Sequence, residues 1–205
     1  MVAVSSTDGF RRLSEHRVHQ GHVWHVAVAD FAAPDGSEFR RDIVRSPGAV
    51  GIVPLLFDPE GQASVVLVSQ YRPPYDEVVI EIPAGMRDIE GEDTDAVAHR
   101  ELQEEVGLAA GRLVLLGEIY PSPGMTDSVT TLYLATHLTA VEPDRQGPEE
   151  EYMEVLHFPL DTALGMIDGG QIRDAKSVAG LLLTERHLRS ADDSGDGAGY
   201  VEGAV

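Results

Sequence analysis

Short runs of β-branched, aromatic and aliphatic residues, separated by turn signals, dominate the chain and read as strands. His22 to Phe31 is the first such run. Pro34-Asp35-Gly36-Ser37 is a turn composition, and Glu38 to Arg45 reads as the hairpin partner. The first twenty residues are polar and carry no assignable period. Residues 1–46 thus make a small β element, too small to hold itself together. It is expected to pack on the main domain or on a second subunit.

From Gly48 the pattern is richer. Ala49 to Phe57, Ala63 to Gln70, Val78 to Ile82, Leu113 to Tyr120 and Val129 to His137 read as strands, with Asp58-Pro59-Glu60-Gly61 as a turn and Val155 to Phe158 as a short strand. Asp93 or Thr94 can cap a helix that runs to Val106, where Gly107 stops it. Two later helices are expected near residues 161–168 and 174–189. Pro143 to Tyr152 reads as an acidic loop and the residues from Ser190 as a disordered acidic tail. The domain plan is therefore a β element over 1–46, a main domain over 47–189 and a tail over 190–205. Strands and helices alternate irregularly, with hairpins among them. That predicts an α/β fold with a mixed sheet between helices rather than a doubly wound parallel sheet.

Charge narrows the function. The chain has 205 residues, 15 basic against 35 acidic, for a net charge of −20. Such a surface argues against non-specific binding to nucleic acid or to anionic membranes. No apolar run approaches the ~20 residues of a membrane span, and the N-terminus lacks an apolar signal core. A cytoplasmic location fits. There is no cysteine, so disulfides and thiolate metal sites are excluded. No Gly-x-Ser-x-Gly elbow and no phosphate loop ending in Gly-Lys-Ser/Thr is present. Gly195 to Gly199 has spaced glycines but no helix after them. His16, His19, His22 and His25 recur every third residue, yet they run into a predicted strand, so the spacing is read as chance.

The chemistry concentrates in Arg100-Glu101-Leu102-Gln103-Glu104-Glu105-Val106-Gly107-Leu108. At 100° per residue, Glu101, Glu104 and Glu105 share a sector of roughly 100°, beside Ala98, Leu102 and Val106, which can face a core. Like charges four apart destabilise a helix by about 0.2–0.5 kcal/mol. A divalent cation reverses that penalty, and magnesium prefers carboxylates supplemented by substrate phosphates. The bland alternative is a solvated acidic face.

With Gly85 and Glu92 upstream, this string resembles the Nudix box: glycine, five residues, glutamate, seven residues, then Arg-Glu-apolar-any-Glu-Glu-any-Gly-apolar. The last nine positions match in full, and Glu92 has the family spacing from Arg100. Gly85 to Glu92 encloses six residues where the family has five, so the extra residue is expected to bulge before the helix. The resemblance implies an α/β/α sandwich with the acidic helix beside the sheet. It also implies cleavage of a nucleoside diphosphate derivative with Mg2+ (or Mn2+). Glu101 and Glu105 would be ligands, Glu104 next, and a backbone carbonyl at Ala84 or Gly85 would complete the site. Arg100 would orient Glu104, and Glu92 the helix start.

Within the family the chain is similar to the ADP-ribose pyrophosphatases. Pro123 lies fifteen residues beyond Leu108, in Tyr120-Pro121-Ser122-Pro123-Gly124-Met125-Thr126-Asp127. Ser69-Gln70-Tyr71-Arg72, Glu81-Ile82-Pro83-Ala84-Gly85 and Gly170 to Lys176 resemble further segments of that subgroup, so the likeness covers about residues 38–185. By resemblance Arg72, Arg41, Glu81, Pro123 and Trp24 are substrate-binding candidates. Arg72 is the leading phosphate clamp, because a guanidinium can make paired hydrogen bonds to phosphate. Trp24 could stack on adenine, although a lone tryptophan in a strand more commonly packs in a core. The subgroup takes its base from a late acidic loop, here Glu149 or Glu151. A homodimer with the N-terminal β element reaching across is implied too. The expected reaction is hydrolysis of ADP-ribose to AMP and ribose 5-phosphate. GDP-mannose or a dinucleotide is the competitor within the family, and a non-catalytic ligand sensor the competitor outside it.

Overall fold

A computed structural model describes residues 7–145 and 151–194. The chain divides at Gly48/Ala49 into two compact units, and Ser122–Ser128 joins the first of them.

The first unit is a three-stranded antiparallel sheet in the order β1-β2-β3, with β1 at Arg11–Gln20, β2 at His25–Ala32 and β3 at Glu38–Arg45. The β2–β3 hairpin is the one the Pro-Asp-Gly-Ser turn predicts. Gly36 takes φ 86° there, and the Asp35 carboxylate accepts from the Ser37 amide and hydroxyl. Phe31 stacks on Phe39 at 5.4 Å. Arg45 joins Glu15 on β1 to Asp127 in the 122–128 segment. Strand β1 is absent from the sequence reading for a physical reason. All ten of its residues are exposed, so no buried face imposes alternation. The strand beginning expected at His22 moves to His25, which places Trp24 in the β1–β2 connection.

The second unit is built on a seven-stranded mixed sheet. Its main path is β10-β5-β4-β9-β8, with β6 paired to β5 and β7 paired to β4. The ranges are β4 Ala49–Phe57, β5 Ala63–Arg72, β6 Glu77–Glu81, β7 Ala84–Met86, β8 Leu108–Ile119, β9 Thr130–Ala140 and β10 Glu154–Pro159. Strands β4 and β9 run parallel; the other pairs are antiparallel. Three helices are described: α1 Thr94–Val106, α2 Leu160–Asp168 and α3 Ala175–Ser194.

The sheet is covered on both faces, and the period of two along its central strands sorts side chains between them. Val50 and Ile52 of β4 join Tyr133 and Ala135 of β9 under Val97, Ala98 and Leu102 of α1. Val53 and Leu55 join Leu132 and Leu134 on the other face with Leu160, Ala163 and Leu181 of α2 and α3. This is the expected α/β/α sandwich. The boundaries depart furthest from the sequence reading at two places. Strand β8 starts directly after Gly107, five residues before Leu113, because its first residues pair with the end of β9 (Leu108 with Ala140). Helix α3 continues to Ser194, so residues 190–194 are helical rather than tail.

Candidate active site

Helix α1 begins and ends where its sequence dictates. Asp93 is the N-cap, its carboxylate accepting from the Ala96 amide at 3.0 Å. The neighbouring Thr94 hydroxyl instead pairs with the Tyr133 phenol at 2.7 Å, and Tyr133 also donates to Asp95. Burial, and then Asp95, raise the Tyr133 pKa and keep the phenol protonated as that donor. These contacts pin the start of α1 to β9. At the far end Gly107 adopts the left-handed conformation (φ 64°, ψ 39°), and its amide donates to Gln103. A Cβ at Gly107 would stand 2.9 Å from the Val141 carbonyl oxygen, so glycine is required there twice over.

With both ends fixed, the helix turns two carboxylates inward. Glu101 and Glu105 are buried, at 6 % and 3 % exposure, on the same face as Ala98 and Leu102. Strand β7 meets them. The Ala84 amide donates to Glu105 Oε2 at 3.0 Å. Gly85 lies so close to Glu101 that an added Cβ would fall 1.8 Å from the carboxyl carbon. Strand β7 is three residues long and anchored on β4 through Gly51–Ala84, Val50–Gly85 and Ala49–Met86. It thus holds the backbone of Ala84 and Gly85 against the two carboxylates.

Arg100 organises the outer edge. Its guanidinium meets Glu101 at 2.7 Å, Glu104 at 3.0 Å and Glu92 at 3.3 Å. Burial works against its charge, but these three carboxylates outweigh burial and hold it protonated beyond the ordinary guanidinium range. The extra residue between Gly85 and Glu92 is absorbed in the loop from residue 87 to residue 93. Gly91 turns there with φ 83°, and the Glu92 amide donates to Ile89. Glu92 still reaches Arg100, so the helix keeps its register.

A second charged group lies where β5 and β6 pair. Arg72, at the end of β5, makes a two-pronged pair with Glu81, Nε to Oε1 at 2.6 Å and Nη2 to Oε2 at 2.8 Å. Glu81 is 2 % exposed. Lys176 of α3 also donates to Glu81, and to Asp174 at 3.0 Å. Burial alone would raise the Glu81 pKa; Arg72 and Lys176 more than offset it and lower the value. The pair with Glu81 raises that of Arg72, and the Glu105 charge adds to the effect. In the sequence Lys176 stands only as the end of a family-like segment, with no role attached. Its partner Glu81 lies 95 residues away, and no local pattern connects them.

The remaining candidates are dispersed. Glu151 is exposed just before β10, and Glu149 lies outside the described residues. Trp24, Arg41 and Pro123 belong to the first unit. Trp24 is 53 % exposed, so the core-packing alternative does not hold. Arg41 lies over the Phe39 ring at 4.9 Å. Pro123 is exposed in the 122–128 turn.

The donor set suits a hard cation. Glu101 and Glu105 supply oxygen from one helix face, and the bare Gly85 backbone lets the Glu101 carboxylate sit against it. Among the described residues no three acidic or histidine side chains form a ready cage. An ion here would therefore take two carboxylates and a backbone carbonyl such as that of Ala84, and complete its shell with water and substrate oxygens. That is the mixed shell magnesium favours.

The NUDIX domain family model matches residues 45–181. The ADP-ribose pyrophosphatase of Bacillus subtilis is 34 % identical over 167 residues, covering 82 % of this chain and 88 % of the relative. The GDP-mannose pyrophosphatase of Citrobacter koseri is 35 % identical over 147 residues, covering 68 % of this chain and 74 % of the relative. Among solved structures, one described as an ADP compounds hydrolase superposes with a TM-score of 0.76 at 22 % identity, over 91 % of this chain and 98 % of that one. That likeness speaks for the fold.

Proposed function

The chain belongs to the Nudix family, and from that premise we propose that it hydrolyses the pyrophosphate bond of ADP-ribose to AMP and ribose 5-phosphate. The observation that carries the reading is the pair of buried carboxylates, Glu101 and Glu105, pressed against the backbone of Ala84 and Gly85. Arg100 already meets Glu101 and the Ala84 amide donates to Glu105; a divalent cation would add positive charge where two acids one helical turn apart are buried together.

In this reading Glu101, Glu105 and the Ala84 carbonyl would hold Mg2+ (or Mn2+), with Glu104 next in line beside Arg100. The ion supplies charge neutralisation at the diphosphate and a lowered pKa for bound water. Arg100 keeps Glu101 and Glu104 in place. Arg72 binds a phosphate edge-on: Glu81 occupies two of its five N–H donors, and three remain for an oxyanion. Glu151 or Glu149 takes the proton from the attacking water. Trp24, Arg41 and Pro123 stay as further substrate-binding candidates, the exposed Trp24 indole having the chemistry to stack on a purine face. The working form is a homodimer in the cytoplasm. Strand β1 supports the dimer, because it exposes Leu13 and Val18 at a sheet edge. No helix among the described residues is long and apolar enough to cross a membrane.

GDP-mannose is the second reading, favoured by the Citrobacter relative. Purified protein incubated with magnesium and a panel of diphosphates separates the two. AMP and ribose 5-phosphate from ADP-ribose are expected, with activity abolished by chelation and restored by Mg2+ or Mn2+. GMP from GDP-mannose without AMP from ADP-ribose would move the assignment to the second reading. Silence from every compound would leave a ligand-sensing module. Sedimentation as a monomer at micromolar concentration would remove the dimer.

A further inference from the structure

The Glu81 cluster joins three elements through charge. Strand β6 contributes Glu81, the end of β5 contributes Arg72 and the start of α3 contributes Lys176. Asp174 ties the cluster into α3. Its carboxylate accepts from the Ser177 amide at 2.9 Å and the Ser177 hydroxyl at 2.6 Å, and also from Lys176. Ser177, fully buried, then accepts from the Ile82 amide at 2.8 Å. Residues 81 and 82 are thus gripped from α3 by a side chain and by the backbone. Two and three positions beyond Ile82, strand β7 presents Ala84 and Gly85 to Glu105 and Glu101.

Glu81 cannot itself be a substrate contact in this arrangement. It is buried, and both its oxygens are taken, one by Arg72 and the other by Arg72 and Lys176 together. This revises the expectation that grouped it with the substrate-binding residues. A carboxylate held in that way does something else. It fixes the plane of the Arg72 guanidinium, because two parallel N–H···O bonds define a plane where a single bond would leave a pivot.

We propose that Glu81 is a positioning residue: by pairing both prongs of Arg72 against the Lys176 ammonium, it sets the orientation in which Arg72 meets a diphosphate. The proposal rests on the phosphate-clamp reading of Arg72. It does not require ADP-ribose to be the compound that is cut. It assigns Glu81 an effect on binding more than on the bond-breaking step, since a clamp that grips ground state and transition state alike appears in KM.

The test compares full-length wild type with Glu81→Gln, Glu81→Asp, Arg72→Ala and the double variant Arg72→Ala/Glu81→Gln. Two readouts are taken: steady-state hydrolysis of ADP-ribose, and calorimetric binding of inorganic pyrophosphate in the presence of magnesium. Lys176 is the sole lysine of the chain, so protein carrying isotope-labelled lysine gives one side-chain resonance that reports whether the cluster has reorganised. Glu81→Gln is expected to shift that resonance, to raise KM roughly tenfold or more with a much smaller change in kcat, and to weaken pyrophosphate binding by a similar factor. Glu81→Asp retains the charge but is one methylene too short to hold both prongs, and should fall between Gln and wild type. It also keeps the test open should Glu81→Gln not fold. The double variant should lose little beyond Arg72→Ala alone, because both changes remove one function.

Normal KM and normal pyrophosphate affinity in the folded Glu81 variants, or full additivity in the double variant, would overturn the proposal. If wild type cleaves ADP-ribose while the Glu81 variants match it, positioning fails and the hydrolase reading stands. If wild type cleaves nothing yet binds pyrophosphate in a Glu81-dependent way, the hydrolase reading fails and positioning stands. A wild type that neither cleaves nor binds overturns both.

Discussion

At the scale of single residues, Gly85 is the position where the site has no tolerance. An alanine methyl there would fall 1.8 Å from the Glu101 carboxyl carbon, well inside any contact distance. Either Glu101 must leave its place or β7 must move away from α1. Neither is easy, since Arg100 holds Glu101 and three backbone pairings hold β7 on β4. If Glu101 holds the ion as proposed, its displacement by even 1 Å can cost about 100-fold in rate. Gly85→Ala is therefore expected to lower kcat by about 100-fold or more with the far-UV circular dichroism unchanged. A variant of near-normal activity would show that Glu101 does not work from the position seen here. The residue scale is also where sequence served best. That Glu101 and Glu105 share one face is legible from their spacing, because a helix converts a four-residue interval into adjacency without help from the rest of the fold; the metal-binding role comes only with the likeness to the Nudix box. The link of Lys176 and Asp174 to Glu81 is not legible in this way, because it exists only after α3 has docked beside β6.

Between elements, the same link makes a prediction about acid. Glu81 fastens β6 to β5 and to α3, and its pKa is lowered overall from 4.5 because Arg72 and Lys176 outweigh the opposing effect of burial. A carboxyl with a depressed native pKa binds protons more readily in the unfolded chain. Its contribution to stability is present above the unfolded value near 4.5 and is lost as pH falls through the lower native one. Thermal unfolding followed from pH 7 downward should therefore show a melting temperature that declines below about pH 4.5. In Glu81→Gln the starting value should be lower and this part of the decline shallower. Parallel curves for the two proteins would mean that Glu81 is not the linking group. Element prediction succeeded wherever burial imposed a period. The central strands β4 and β9 and helix α1 were legible because each packs against its neighbours on a repeating face. Strand β1, exposed along its whole length, and β7, three residues long, give the eye no period to find. Strand β7 nevertheless positions the Ala84 and Gly85 backbone, so the element least visible in the sequence is central to the site.

The whole molecule carries a net charge of −20, and its proposed substrate is an anion. Near the site the cations Arg72 and Lys176 are each matched by Glu81 or Asp174, so the cluster as a whole is close to neutral and does not cancel the field around it. An approaching diphosphate therefore meets repulsion until it is within bonding distance of Arg72 or of the bound ion. The range of that repulsion is set by the Debye length, about 30 Å at 0.01 M salt and about 8 Å at 0.15 M. Raising sodium chloride across that interval at constant free magnesium is expected to increase kcat/KM, by roughly twofold to tenfold, while kcat at saturation stays level. An enzyme that draws its substrate in through a basic cleft shows the opposite slope. A falling kcat/KM would place a positive local field at the mouth of the site.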